Sequence, residues 1–226
     1  IVTWHYQWIA LFDFVERLTE PGLVSRIRQQ GRQHYRFKVR PYMPVEFAAA
    51  AFRLGHSMVR ETYSHNRVFG PQPGVIAPGS LNLLFQFTGK SGRIVGDLAK
   101  LPGQGPLAPN VVPPQEALPS NWVIDWRRFF DLGTPAGTPG FVFNQARRLD
   151  PFLVPELHKL PGSDASLPLL NLRRGALLGL PSGQDVAHSM RLQPMSSAQL
   201  ASGPDGAVLQ QHGMVEATPL WYYILK

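Results

Sequence analysis

The stretch that decides the fold reads Glu46-Phe-Ala-Ala-Ala-Ala-Phe-Arg-Leu-Gly-His-Ser-Met-Val-Arg-Glu-Thr-Tyr63. It carries an acidic residue in its first turn and four consecutive Ala, both of which favour a helix. Pro44 stands where a helix can begin. We therefore expect a helix over residues 46–63, with His56 in its interior.

Helical patterns recur on both sides of this segment. Apolar residues at three- and four-residue spacing predict helices over 4–18, 122–132, 144–160 (interrupted by two prolines) and 167–178. Ser182 is placed to cap a helix over 182–190, and a further short helix is expected at 196–200. A short strand is expected at 35–39, whereas 81–87 is apolar and of undecided type. Residues 219–226 are expected to be buried.

The connections between these elements are long and rich in Pro and Gly, above all at 68–82 and 88–120. We therefore expect a mainly α fold with long Pro/Gly-rich loops. Both ends look cut through secondary structure, so residues 1–226 are interpreted as part of a single domain of a longer protein.

Composition narrows the class of function. The 226 residues are 44% hydrophobic and 16% charged, a globular balance, and no apolar run has the length of a membrane span. Cys is absent, which excludes structural disulfides and thiolate chemistry. The net charge of +7 allows nucleic-acid binding, but the Arg residues are scattered and no nucleic-acid motif surrounds them, so we expect no nucleic-acid partner.

Three residues of the central helix suggest a ligand site. His56 offers an imidazole, which in its neutral form is a standard axial ligand for haem iron. Arg53 lies three residues earlier on the same helix face and suits an anionic group such as a propionate. Gly55 costs helix stability, which makes sense where a flat group approaches the backbone. On these residues alone, a core histidine and a surface arginine are the commoner interpretation.

The segment Ala51-Phe-Arg-Leu-Gly-His56 resembles the proximal-histidine motif of the animal-type haem peroxidases, and of their bacterial branch in particular. Three further stretches match that family in the same order. They are the opening helix from Trp4 to Val15, the run Asn171-Leu-Arg-Arg-Gly175 with Gly179-Leu-Pro181, and the ending Thr218-Pro-Leu-Trp-Tyr-Tyr-Ile-Leu-Lys226.

This resemblance implies a haem-peroxidase-like helical domain that binds haem b, with His56 as axial iron ligand and Arg53 on the propionate side. Covalent haem attachment through upstream residues stays open. The implied partners are hydrogen peroxide and a halide or small organic reductant, and the implied location is extracellular. The distal catalytic residues of the family precede Ile1, so the resemblance places no catalytic residue here and implies that the chain alone is inactive or nearly so.

The resemblance also implies a partner for the His56 ring. The family has an Asn after its Gly-Leu-Pro whose side chain accepts the Nδ1–H bond, and the equivalent here is Gln184. On residues alone, Gln184 could equally be a plain helix-start residue. The chain departs from the family at residues 176–178, where the family has Arg-Asp-His, so the contacts made there are in doubt.

Two other functions stay open. A fatty-acid dioxygenase of the same superfamily would need a tyrosine between haem and a lipid channel, for which Tyr35, Tyr42 and Tyr63 are available. A non-catalytic haem-binding module would keep the fold and lack the distal residues.

Overall fold

The computed structural model describes residues 1–66, 69, 79–88, 123–133, 141–160 and 164–226. Over this part the fold is mainly α, as predicted, with one antiparallel pair of strands, β1 (Thr62–Tyr63) and β2 (Gly79–Ser80). The α-helices are α1 (Val2–Ile9), α2 (Val15–Leu18), α3 (Leu23–Gln30), α4 (Val45–Ala49), α5 (Leu81–Thr88), α6 (Leu167–Leu177), α7 (Gly183–Ser189), α8 (Ser197–Leu200), α9 (Gly206–Gln211) and α10 (Leu220–Leu225). None of the helices so described has both the length and the apolarity needed to cross a membrane.

The first helical segment is continuous, because a π-helical turn, Ala10–Phe14, joins α1 to α2. This confirms the helix expected at 4–18. Its large apolar side chains face outward on several sides, with Trp4 75% and Trp8 55% exposed. The segment therefore contributes little to the core of the described residues. Helix α3, which the sequence pattern did not predict, follows it after a turn at Gly22.

The helix expected at 46–63 is broken and shorter than predicted. Helix α4 ends at Ala49, and Ala50 has φ −127° and ψ −69°, outside the helical range. A 3₁₀ helix, Ala51–Met58, follows and is called the His56 helix below. The chain is extended from Val59 because it enters β1, and Leu81 N donates to Glu61 O at 2.8 Å. Pairing with a neighbouring segment is incompatible with continued helix at residues 59–63.

Two predicted helices are reduced to single turns. The segment expected at 122–132 keeps only a 3₁₀ turn, Trp126–Arg128, and the one at 144–160 only Pro155–His158. Backbone hydrogen bonds explain the difference: Asp125 N donates to His65 O at 2.7 Å, and Asn144 N to Arg128 O at 2.8 Å. These groups bond to distant segments and not to their own helical turns.

Two smaller expectations are settled, and a third falls largely outside the described residues. The strand expected at 35–39 does not form, and the Tyr35 hydroxyl instead accepts a hydrogen bond from Tyr42 N at 2.9 Å. The apolar segment at 81–87 is helical. The loops expected at 68–82 and 88–120 lie largely outside the described residues, as does Trp122.

The C-terminal part follows the sequence closely. Helix α6 has nearly its predicted bounds and is followed by Gly179 in the left-handed region (φ 59°), a common way to end a helix. Ser182 and Ser196 each form a capping box, at the starts of α7 and α8 respectively. Helix α9 was not predicted.

An apolar core of the described residues lies where α10 packs against the His56 helix, α6 and α7. Trp221 is 5% exposed, and Leu220 and Leu225 are also buried, whereas Ile224 is 36% exposed, so the expected burial of residues 219–226 is confirmed for one face of α10. The buried members of this core are Ala50, Leu81, Leu153, Val154, Leu157, Leu220, Trp221 and Leu225. Leu54 of the His56 helix packs against this core, so the helix that carries the candidate ligand is anchored to it.

Gly183→Ala should destabilise the fold by about 1–3 kcal/mol, the usual cost of overpacking. A Cβ at Gly183 would lie 1.9 Å from Tyr223 Cγ, and that ring cannot retreat freely because Met195 N donates to its hydroxyl at 2.7 Å. Gly175→Ala is the matched control, since among the described atoms its Cβ would meet Leu180 Cδ1 alone, at an ordinary contact distance of 3.6 Å. Equal unfolding midpoints for both variants in urea would contradict this packing.

Candidate functional site

His56 is the centre of the candidate site. It lies on the His56 helix and is half-buried. Its ring Nδ1 lies 2.9 Å from Asn171 Nδ2, on α6. Its other ring nitrogen, Nε2, has no hydrogen-bond partner among the residues that the structure describes. One ring nitrogen, Nδ1, is thus held by the protein, and the other, Nε2, is left for a ligand.

The Asn171 contact decides which nitrogen carries the ring proton. If the Asn171 amide nitrogen donates, Nδ1 is the acceptor and the proton sits on Nε2. If the amide turns by 180° about Cβ–Cγ, its oxygen accepts from Nδ1–H, and Nε2 carries the lone pair. Within the described ranges the Asn171 side chain makes no other hydrogen bond, so no second bond opposes this rotation. The second arrangement leaves Nε2 able to bind a metal.

Burial lowers the pKa of His56, and the positive charge of Arg53 lowers it further. The imidazole is therefore neutral over more of the pH range than a free histidine. A neutral ring is the form that acts as a metal ligand, because protonation occupies both nitrogens. The environment of His56 favours ligation before any metal is present.

Arg53 lies one turn before His56. Its Nε donates to Ala48 O at 3.2 Å. Its two terminal nitrogens have no hydrogen-bond or ion-pair partner in the described part of the chain. Two donors of a fixed, always-charged fork are thus available to an anionic group beside His56.

Gln184 does not make the contact expected of it. Its amide nitrogen donates to Val215 O at 2.8 Å and to Thr218 Oγ1 at 3.1 Å, and its amide oxygen accepts from Thr218 N at 3.0 Å. These bonds hold the segment that leads into α10. The expected hydrogen bond to His56 Nδ1 is therefore a wrong prediction, and Asn171 takes that place.

Asn171 was within reach of sequence reasoning. It is a short polar residue in the apolar run Leu169-Leu-Asn-Leu172, where it disfavours helix and needs a hydrogen-bond partner if buried. The structure buries it to 1% exposure on the side of α6 that faces His56. An isolated Asn on the buried face of a helix is the signal that points to it.

The rest of the described structure offers no competing metal site. In the described ranges, no group of three His, Asp or Glu side chains is arranged to hold a metal ion. A pocket of about 420 Å³ lies elsewhere, with Ser197, Gln210 and Glu216 among its lining residues. A Cβ added at Gly55, next to His56, would meet none of the described atoms within 4 Å, so no described side chain covers the backbone at that position.

The three candidate tyrosines are used locally. Tyr35 and Tyr42 contact each other, with ring centroids 5.2 Å apart. The Tyr63 hydroxyl accepts from Arg60 N at 3.0 Å. None has a hydrogen bond or ring contact with His56 among the described residues.

The folded protein should lose stability as the pH falls below about 6.5, the ordinary pKa of a histidine. The folded-state pKa of His56 is lowered, so the unfolded chain binds more protons in the window below 6.5. The stabilising contribution is fully present above this window and is lost as the pH falls through it. Burial also lowers the pKa of His65, which adds an effect of the same sign.

Urea unfolding of the wild type and of His56→Gln between pH 5 and pH 8 measures this contribution. The variant should lose less stability than the wild type on acidification. A wild type and variant with the same slope of unfolding free energy against pH would contradict it.

Comparison with known proteins assigns no family. A scan against protein-family models finds no match to this chain, and a search of curated proteins finds no significant match. The function is therefore inferred from the chemistry of His56, Asn171 and Arg53 and from the motifs of the sequence.

Proposed function

We propose that this chain binds haem through His56 Nε2 and forms the proximal side of a haem peroxidase with a haem-peroxidase-like helical fold. The observation that carries the proposal is the contact between His56 Nδ1 and Asn171. Histidines that bind a metal commonly donate a hydrogen bond from their second ring N–H to a protein acceptor, which fixes the tautomer and raises the basicity of the ligating nitrogen. A half-buried histidine with one nitrogen held and the other unbonded among the described residues suits this role.

The neighbouring residues fit the group. Arg53 has two terminal nitrogens to donate to a propionate, and Gly55 leaves the backbone open beside the ring. Bound haem would supply the redox chemistry with hydrogen peroxide, and the electrons would come from a halide or a small organic donor. The chain itself holds the imidazole neutral, orients Nε2, and offers a positive charge to the propionates.

The proposal divides the work of a peroxidase between this chain and residues outside it. The family resemblance implies that the groups acting on peroxide belong to a preceding segment. This chain would therefore bind and orient the haem, and taken alone would turn over little peroxide. A fatty-acid dioxygenase would need a tyrosine between haem and a lipid channel, and the hydrogen bonds and ring contact of Tyr35, Tyr42 and Tyr63 given above are local.

A haem titration followed by absorption tests the proposal. The wild-type protein should give a Soret band typical of histidine ligation, and His56→Ala should lose or strongly shift it, since Nε2 is the only iron ligand proposed here. Added imidazole should restore the band in the variant by filling the vacated position.

His188→Ala is the matched control, because His188 is exposed on α7. It should leave the spectrum unchanged. An unchanged Soret band in His56→Ala, or no haem binding by the wild type, would overturn the proposal. Haem binding through His56 with no peroxidase activity in the longer protein would favour the non-catalytic haem-binding module.

A further inference from the structure

We propose that Trp221 and Ser57 are positioning residues for the His56 ring. This inference deepens the proposed function and rests on it for its purpose, but the contacts that carry it are independent of haem. Both residues join the His56 helix to distant parts of the chain. The two points of attachment on the helix are Arg53, three residues before His56, and Ser57, one residue after it.

The His56 helix needs such support. A 3₁₀ helix has poorer hydrogen-bond geometry than an α-helix and is seldom stable over more than a few residues. This one runs from Ala51 to Met58, and it is preceded by the non-helical Ala50 and followed by the extended Val59. A ring mounted on such a segment keeps one direction only if neighbouring elements hold the backbone.

Trp221 supplies the first anchor. Its indole Nε1 donates to Arg53 O at 3.2 Å, across 168 residues of sequence. In 3₁₀ geometry the carbonyl of residue i pairs with the amide of i+3, so this carbonyl belongs to the turn that carries His56. The indole is 5% exposed in the core, which fixes where its N–H points.

Ser57, the residue next to His56, supplies the second anchor. Its hydroxyl donates to Asp150 O at 2.7 Å and accepts from Asp150 N at 3.0 Å. Ser57 is completely buried. A hydroxyl that closes a two-way bridge to one backbone residue allows little rotation of the turn beside it.

The two anchors differ in kind from Asn171. Asn171 touches the ring and sets which nitrogen carries the proton, whereas the hydrogen bonds of the Trp221 and Ser57 side chains go to backbone groups, at Arg53 and Asp150 respectively. They act on the ring through the direction of the His56 Cα–Cβ bond. Gln184 supports the first anchor in turn, because it holds Thr218 at the start of the segment that carries Trp221.

The test uses Trp221→Phe, which keeps an aromatic ring in the core and removes the N–H, and Ser57→Ala, which removes the bridge. The matched controls are Trp126→Phe and Ser197→Ala, at exposed sites whose ring contacts and hydrogen bonds within the described residues lie away from His56. Circular dichroism and the unfolding midpoint establish which variants fold. If Ser57→Ala does not fold, the result for Trp221→Phe decides the test.

The first readout is nuclear magnetic resonance of the ligand-free protein with labelled histidine. The wild type and both controls should show a single ordered His56 ring. Trp221→Phe and Ser57→Ala should show a broadened or doubled ring signal and a Nδ1 shift moved toward the solvent-exposed value, because the Asn171 contact is then made only part of the time. An unchanged His56 ring signal in both variants would overturn the inference, whether or not the protein binds haem.

The second readout is the rate at which bound haem dissociates. It should rise in both variants and stay at the wild-type rate in the controls. If His56→Ala abolishes the Soret band and the two variants leave ring order unchanged, the positioning role fails and the proposed function stands. If ring order is lost but His56→Ala leaves haem binding intact, the positioning role stands and the proposed function fails.

Discussion

The contact between His56 Nδ1 and Asn171 is the interaction on which the account of this site depends. A free histidine exchanges its proton between two nitrogens and takes a second proton near neutral pH. Burial and the charge of Arg53 lower the pKa of His56, and the hydrogen bond with Asn171 restricts the exchange of its proton between Nδ1 and Nε2. These effects favour a neutral ring with Nδ1 occupied, and the lone pair lies on Nε2 when the Asn171 oxygen faces the ring.

The packing around the site explains why this contact can form at all. Asn171 on α6 and Trp221 on α10 approach the His56 helix from two elements that also pack against each other. Burying an amide at 1% exposure is costly unless it is hydrogen-bonded, so His56 and Asn171 stabilise each other's placement. By contrast, the segment α1–α2 exposes Trp4 and Trp8 and contributes no buried side chain to this core.

Sequence reasoning succeeded where local signals decide the structure. The Ser182 cap predicted the start of α7, a short helix was expected where α8 lies, and helical spacing predicted α6 and the first helical segment. It failed where distant hydrogen bonds decide, as at Asp125 and Asn144, whose backbone amides bond to His65 and Arg128. A helical pattern of apolar residues cannot reveal such long-range partners.

The same distinction holds within the site. His56 and Arg53 were found from one local motif, since three-residue spacing places both on one helix face. The partner of Nδ1 was assigned to Gln184 by counting along the chain. Only the three-dimensional structure brings Asn171, 115 positions away, against the ring and commits Gln184 to Thr218.

The most direct measurement is the iron–histidine stretching band of the ferrous haem complex, recorded by resonance Raman for the wild type, Asn171→Asp and Asn171→Leu. A stronger acceptor at Nδ1–H makes the axial imidazole more basic, and removal of the acceptor makes it less so. The account predicts a higher frequency in Asn171→Asp and a lower one in Asn171→Leu, relative to wild type. The same band in all three proteins, or no iron–histidine band in the wild type, would contradict it.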